Sequence, residues 1–279
     1  MRLLGKGIIN REIMPYLQSG RPSKASQQHG MWRVVECILY KLKTGCQWDW
    51  LPVKCFFRGK PMSCSSIYYH FRRWCADGSW RRMWNGVMGK YKDKLDLSST
   101  DMDGSHTPCK KGGERSGYQG RKKSETCNMI LLTGRCGSVV GCSEPISGEH
   151  HDCFEIEKVM AKILGDMRDK GLETKGLFLN ADPGFDSQNL REVLEHESIH
   201  ANIKENKRNR NADSEHEGYL IDDELYSLRY CIERTNAWVD NFRQLTIRYE
   251  TKAENWMGAH YLAFTIMFLK NKKIINTRF

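Results

Sequence analysis

Apolar residues recur at helical spacing through the first hundred positions and at shorter, mixed intervals beyond them. Trp32, Val35, Ile38, Leu39 and Leu42 form one helical stripe. Gly45 stops that helix, and Leu51-Pro52 closes the turn that follows. Ser63 to Ser66 can cap a second helix, with Ile67, Phe71 and Trp74 on one face and Tyr68, His70, Arg72 and Arg73 towards the others. Trp80, Met83, Trp84 and Val87 extend the helical pattern. Two helices around a tight connection, the second with a basic aromatic surface, fit a helix-turn-helix-like DNA-binding unit. A plain helical bundle would show the same stripes.

Residues 109–125 carry no apolar period. They hold Lys110, Lys111, Gly112, Gly113, Arg115, Gly117, Gly120, Arg121, Lys122 and Lys123, which predicts a solvated basic loop able to contact phosphates. Beyond it the elements alternate. Met129–Leu132 and Ser138–Cys142 read as strands joined by a glycine-containing turn, and Phe154 to Met167 as a helical stripe ending near Lys170-Gly171. Gly176–Asn180 reads as a strand, Leu190 to Leu194 marks a helix, and Ile199–Ile203 another strand. Asn206–Glu217 is polar and aperiodic, a surface loop. One long final helical region is expected to carry Tyr226, Arg229, Glu233 and Ala237. Tyr261–Leu269, the longest apolar run, is too short to span a bilayer and predicts a buried terminal helix. The pattern is that of an α/β protein, a mixed sheet flanked by helices and preceded by a small helical region. The chain divides into residues 1–95 and residues 96–279.

Charge sharpens this division. The net charge is +10, and the first 98 positions hold 18 of the 44 basic residues but 6 of the 34 acidic ones, +12 against −2 for the remainder. A basic aromatic module ahead of an acid-bearing body suits a polyanion such as nucleic acid. Eleven cysteines form no Cys-x2-Cys pair, and the nine-residue spacing of Cys37, Cys46, Cys55 and Cys64 is not that of a zinc knuckle. An odd count without a signal peptide points to reduced thiols in a cytosolic protein.

Three acidic signatures stand out: Asp103 in Thr100-Asp-Met-Asp-Gly-Ser-His106, Asp182 in Ala181-Asp-Pro-Gly-Phe185, and Glu233 in Tyr226-x2-Arg229-x3-Glu233-Arg234. Asp103 and Asp182 fall at strand ends, where neighbouring carboxylates can reach one metal pair, and Glu233 would join them from a helix that also carries Arg229 and Tyr226. Phosphodiester cleavage by two divalent ions roughly 4 Å apart needs such acids, and hard oxygen ligands suit Mg²⁺, with Mn²⁺ as an alternative. Asp101, two residues from Asp103 on the same strand face, is a rival ligand. Asp186 rivals Asp182, although a helix N-cap accounts for it. His106 with Asp103, or His150-His151-Asp152, would suggest zinc or general-base chemistry, but neither supplies a third ligand and both read as supporting or surface groups.

On these residues the chain resembles bacterial insertion-sequence transposases of the Asp-Asp-Glu class, in the insertion sequence five group. Thr44-Gly-Cys-Gln-Trp48 with Leu51-Pro52 is similar to that family's N-terminal signature, and Asp103-Gly-Ser-His106 to its first catalytic block. Lys111-Gly-Gly113 and Gly120-Arg-Lys122 are similar to its basic loop. Ala181-Asp-x-Gly-Phe-Asp186 resembles the second block. Tyr226 to Trp238, with Phe242-Arg243 and Arg248-Tyr-Glu250, resembles the third. Pro183 and Asp240 depart from it, standing where the family often has a basic residue. The resemblance implies an RNase H-like catalytic core in which Asp103, Asp182 and Glu233 bind Mg²⁺. It also implies cleavage at terminal inverted repeats and attack of the freed 3′-OH on target DNA.

The partners so implied are double-stranded DNA and a second copy of the chain, at least a dimer, with no membrane. The location is the bacterial cytoplasm at the nucleoid. Lys110, Lys111, Arg121, Lys122, Lys123, Arg72, Arg73, Tyr226 and Arg229 are the candidate nucleic-acid contacts. Two other functions share these features: a nuclease that cuts without joining, and an inert DNA-binding protein derived from a transposase. A carboxylate-pair glycosidase would show a sugar platform near two acids and needs no basic module.

Overall fold

Helix α1 (Trp32–Thr44) follows directly from its stripe: Val34, Val35, Ile38, Leu39 and Leu42 are buried along one side. Gly45 ends it in the left-handed region (φ 67°), its N–H bonding the Lys41 carbonyl at 2.8 Å. A Cβ there would also lie 3.1 Å from the Arg243 backbone, so glycine is required twice over. Helix α2 (Cys64–Ala76) starts at Ser63, whose Oγ accepts the Ser66 N–H at 3.1 Å, and buries Ile67, Phe71 and Trp74. Helix α3 (Ser79–Lys90) buries Trp80, Met83, Trp84 and Val87. The tight connection is Asp77-Gly78, between α2 and α3. It does not join α1 to α2, as the sequence suggests, because 3-10 turns at Trp48–Trp50 and Val53–Cys55 lengthen that link.

The computed structural model describes residues 3–17, 30–57, 59–206 and 219–273. Most of the polar segment Asn206–Glu217 lies outside the described residues. Two compact units are formed, one of Met1–Lys90, Thr107–Glu114 and Trp238–Phe279, the other of Tyr91–His106 and Arg115–Ala237. All eleven cysteines are free thiols, and six are buried as small apolar side chains.

The helical unit closes on its last helix (Ala253–Asn271), buried at every position from Asn255 to Leu269. A helix apolar all round belongs in a core, and Trp84 stacks on Tyr261 at 5.2 Å and lies 5.7 Å from Phe264. Among the described residues no helix is long and apolar enough to cross a membrane. This core encloses His260, whose ring nitrogen Nδ1 bonds the Trp256 carbonyl at 2.9 Å. Burial pushes its pKa down to about 4, opposed by that bond and reinforced by Arg248. The folded chain resists a proton that the unfolded chain takes up near pH 6.5. The stabilisation is therefore complete above pH 6.5 and is lost as pH falls towards 4, at about 1.4 kcal/mol per pH unit. Urea unfolding at pH 7, 6 and 5 should show this slope in the native chain and a flatter one in His260→Gln. Equal slopes would mean that the imidazole charges without cost.

The second unit is built on a seven-stranded sheet. Its strands are β1 (Thr100–Pro108), β2 (Gly117–Gln119), β3 (Ser124–Gly134), β4 (Val139–Cys142), β5 (Ile146–Ser147), β6 (Phe178–Ala181) and β7 (His200–Ile203). The order is β2-β3-β1-β6-β7, with β4 and β5 also antiparallel to β3, and β1, β6 and β7 parallel. An antiparallel arm on one side of a central strand and two parallel strands on the other is the RNase H-like arrangement. Helix α4 (Ile156–Asp169) packs against β4 through its apolar stripe, and α5 (Gln188–His196) returns the chain from β6 to β7.

Two local expectations change. Within 109–125, Gly117–Gln119 pairs with Ser124–Thr126, so Arg121, Lys122 and Lys123 occupy a hairpin tip rather than an open loop. A polar ladder needs only backbone groups, which an apolar period does not register. The Glu233 region is also not one helix but two, α6 (Asp223–Ser227) and α7 (Tyr230–Asp240). Between them the N–H groups of Leu228, Arg229, Cys231 and Ile232 bond three residues back, and the Ser227 hydroxyl bonds the Glu224 carbonyl.

Candidate active site

Strand pairing brings the first two acids together. The parallel ladder of β1 and β6 matches Thr100 with Leu179 and Asp101 with Asn180. Carried two residues further, the same register sets Asp103 opposite Asp182, on the sheet face that Asp101 and Asn180 also occupy. Asp182 leaves the end of β6 and caps the turn Pro183–Phe185, its Oδ1 accepting the Gly184 N–H at 2.7 Å. Asp103 is half-buried, and Asn236 Nδ2 donates to its Oδ2 at 3.1 Å. Burial pushes the Asp103 carboxyl up to about 6; the Gly104 N–H and Arg229 oppose this, while Asp182 and Asp152 add to it. Burial, with like charge on Asp182 and Asp152, thus outweighs the Gly104 N–H and Arg229 at Asp103.

A third acid stands nearby. At Gly104 a Cβ would lie 2.6 Å from an Asp152 oxygen, so the glycine lets that carboxylate approach the strand. Asp152 Oδ1 accepts from Asn128 Nδ2 at 2.7 Å and faces His106 Nε2 at 3.8 Å. His106 Nδ1 pairs with the Thr126 hydroxyl at 3.2 Å, and Lys122 Nζ donates to the His106 carbonyl at 3.2 Å. Burial lowers the His106 pKa, and Asp152 acts against it. The sequence reading gives His106 and Asp152 supporting roles separately and misses that they form one cluster beside Asp103. The only local signal is a glycine inside a strand.

Glu233 is exposed on α7, one helical turn from Asn236 on one side and from Arg229 on the other. The helix that carries it therefore touches Asp103 through Asn236. Among the described residues no three His, Cys, Asp or Glu side chains converge closely enough to hold a metal ion. The two rival acids have other work. Asp101 is fully buried and accepts from Asn180 Nδ2 at 2.9 Å. Asp186 is paired with Arg191 at 2.8 Å and accepts the Asn206 N–H; the N-cap of α5 is Ser187, not Asp186.

The candidate nucleic-acid contacts are distributed. Arg72 is exposed on α2, 5.7 Å over the Tyr68 ring, with Arg73 beside it half-buried. Lys110 and Lys111 are exposed, as are Arg121, Lys122 and Lys123. Tyr226 and Arg229 form a joint surface: the guanidinium lies 5.4 Å over the ring and Nη1 donates to the phenol oxygen at 3.3 Å, while Lys204 Nζ sits 4.4 Å from the same ring.

The donor set fits a hard divalent cation. Asp103 and Asp182 offer carboxylate oxygens of like charge, and the buried acceptors Asn236 Oδ1 and Asn128 Oδ1 have no hydrogen-bond partner among the described residues. One thiol lies close by, Cys153, whose Sγ bonds the Gly184 carbonyl at 3.4 Å and whose pKa burial raises.

A family model described as the transposase DDE domain matches residues 94–268, and one described as a transposase of the IS4/5 family matches residues 11–84. No curated protein matches the chain significantly. Among solved structures, a Mos1 transposase paired-end complex with the left transposon end is 12% identical, with 88% of this chain and 78% of that one covered at a TM-score of 0.29. A pre-cleavage Mos1 transpososome is also 12% identical, with 94% and 82% covered at 0.28. Scores this low carry no weight for the fold, which rests on the strand order itself. The DDE match spans well over half the sequence and takes in Asp103, Asp182 and Glu233, while the IS4/5 likeness is confined to residues 11–84; the chain belongs to the DDE transposases.

Proposed function

We propose that this DNA transposase cuts at the ends of its element and joins the freed 3′-OH to target DNA with Mg²⁺ held by Asp103, Asp182 and Glu233. The observation that carries the reading is the pairing of β1 with β6, which brings Asp103, a half-buried acid within β1, near Asp182, just past the end of β6, whose charge adds to burial in raising the Asp103 carboxyl. Bound divalent ions would supply a nucleophilic oxygen of lowered pKa and offset charge on the leaving oxygen. The chain's own residues hold and orient. Asp103 is steered by the Asn236 amide, and Arg229 places positive charge beside it. Glu233 approaches from α7 as the third ligand. Residues 1–95 hold the duplex through Arg72 and Arg73, while Lys110, Lys111 and Arg121 to Lys123 neutralise phosphates. Two copies bring the two element ends together on nucleoid DNA, with Mn²⁺ as a working substitute.

The test is strand cleavage and joining on a duplex bearing the terminal repeats of the encoding element. Joined products are expected with Mg²⁺ or Mn²⁺ and none with EDTA. Equal yield in EDTA would overturn the metal assignment, and cutting without joining in any assembled complex would favour a nuclease.

A further inference from the structure

Three buried polar side chains stand in one row across the parallel strands, two residues before the catalytic acids. Asp101 on β1 pairs with Asn180 on β6, and Asn180 with Asn202 on β7. All three are almost wholly excluded from solvent. Buried amides persist only when bonded, and here each bond dictates the next. Asn180 Nδ2 donates to Asp101 Oδ1 at 2.9 Å and to the Ser99 hydroxyl at 2.9 Å, which turns Asn180 Oδ1 towards Asn202. Asn202 Nδ2 donates to that oxygen at 2.7 Å. The same nitrogen donates to the Asp222 carbonyl at 3.0 Å, while Asn202 Oδ1 accepts the Asp222 N–H at 2.9 Å. The side-chain amide therefore grips the Asp222 backbone as a neighbouring strand would.

Asp222 is where the chain returns towards the site. Its own Oδ1 caps α6 by accepting the Leu225 N–H at 2.9 Å, and α6 passes through the tightened Leu228-Arg229 turn into α7, which bears Glu233 and Asn236. Asp103 lies two residues beyond Asp101 on β1, and Asp182 two residues beyond Asn180, just past the end of β6. One hydrogen-bonded row thus sets the register of both aspartate strands and the starting point of the glutamate helix.

We propose that Asn202 is a positioning residue, an amide clamp that fixes the origin of α6–α7 so that Glu233 reaches the metal held by Asp103 and Asp182. The inference rests on Glu233 being a metal ligand, as argued above. Its action runs through Glu233 and not through general stability.

Mn²⁺ binding to the full chain, read from the loss of the free-ion electron paramagnetic resonance signal, tests this together with thermal melting. Native protein, Asn202→Ala, Glu233→Gln and the double variant are compared. Asn202→Ala should weaken Mn²⁺ binding about tenfold, the usual scale for groups that orient a ligand. In the Glu233→Gln background the same change should have no further effect. Asn202→Leu keeps the size without charge but loses both donations and the acceptor, so it should give the same Mn²⁺ defect even if the alanine variant folds poorly. Ser99→Ala, in the same network but off the path to α6, should lower the melting temperature without moving Mn²⁺ affinity. Native affinity in both folded Asn202 variants would overturn the clamp, as would multiplying losses in the double variant. If Glu233→Gln itself binds Mn²⁺ like the native chain, or the native chain binds none at millimolar concentration, the site reading fails and the clamp with it.

Discussion

Asp103→Asn is expected to lower strand cleavage and joining at least ~10³-fold, about 4 kcal/mol in the barrier, while the protein folds and binds DNA as before. The substitution removes one negative charge and one ligand oxygen from the pair aligned across β1 and β6. The cost falls on catalysis alone because the charged form of Asp103 is disfavoured in the folded chain by burial and by Asp182 and Asp152. A neutral amide escapes that penalty, and its oxygen can still accept from Asn236. The melting temperature should therefore hold or rise. Asp182→Asn should be as inactive, and the double variant no worse than either, since groups acting as one unit do not add. Gel assays of cleaved and joined strands with parallel melting curves check this. Activity within tenfold of native would remove Asp103 from the active site.

The second large effect concerns stability. Arg248 is buried, and its guanidinium donates to three backbone carbonyls: Nε to Glu250 at 2.8 Å, and Nη2 to Glu114 at 2.7 Å and to Thr251 at 3.3 Å. It lies 5.3 Å over the Trp256 ring. Around it two chain segments are laced together, with the Arg248 N–H on the Pro108 carbonyl at 2.8 Å, Lys110 N–H on the Arg248 carbonyl at 3.0 Å, and Glu114 N–H on the Thr251 carbonyl at 2.8 Å. Arg248→Leu takes this donor from the Glu250 and Glu114 carbonyls, while the Thr251 carbonyl keeps the Glu114 N–H, a loss of about 3 kcal/mol. Over a chain of this length the melting midpoint should fall by roughly 10 °C. Arg248→Lys should recover little, because one ammonium cannot reproduce a planar fork aimed at separate acceptors. A leucine variant melting within 2 °C of native would show the fork to be dispensable.

Much of this was legible from local pattern. The stripe of Trp32 to Leu42, the capping serine at position 63, the strand ahead of Asp182 and the unbroken apolar run of Tyr261–Leu269 each encode their own element, because side-chain period reports which face is buried. The position of Asp182 just past a strand followed for the same reason, whereas Asp103, expected at a strand end, lies inside β1, which continues through Gly104 to Pro108. What escaped was set by pairing at a distance. Nothing near Asp152 announces that it will lie against Gly104, and nothing near Asn202 announces its grip on Asp222. The break between Tyr226 and Glu233 escaped for a local reason: a hydroxyl at Ser227 competes with the helix for a carbonyl, an effect below the resolution of an apolar period. Asp186 misled because it precedes a helix, while its neighbour Ser187 caps it.

The helical unit is sewn from the two extremities of the described chain, with the sheet spliced between them. Its indole-lined face is translated early, yet the aromatic residues that cover Trp84, namely Tyr261 and Phe264, follow only after the whole sheet has been made. In a nascent chain the strands of the sheet are therefore complete while the early helices still lack this cover. A chain that stops short of Ala253 lacks the helix that covers Trp84, which leaves that face bare to proteases and chaperones.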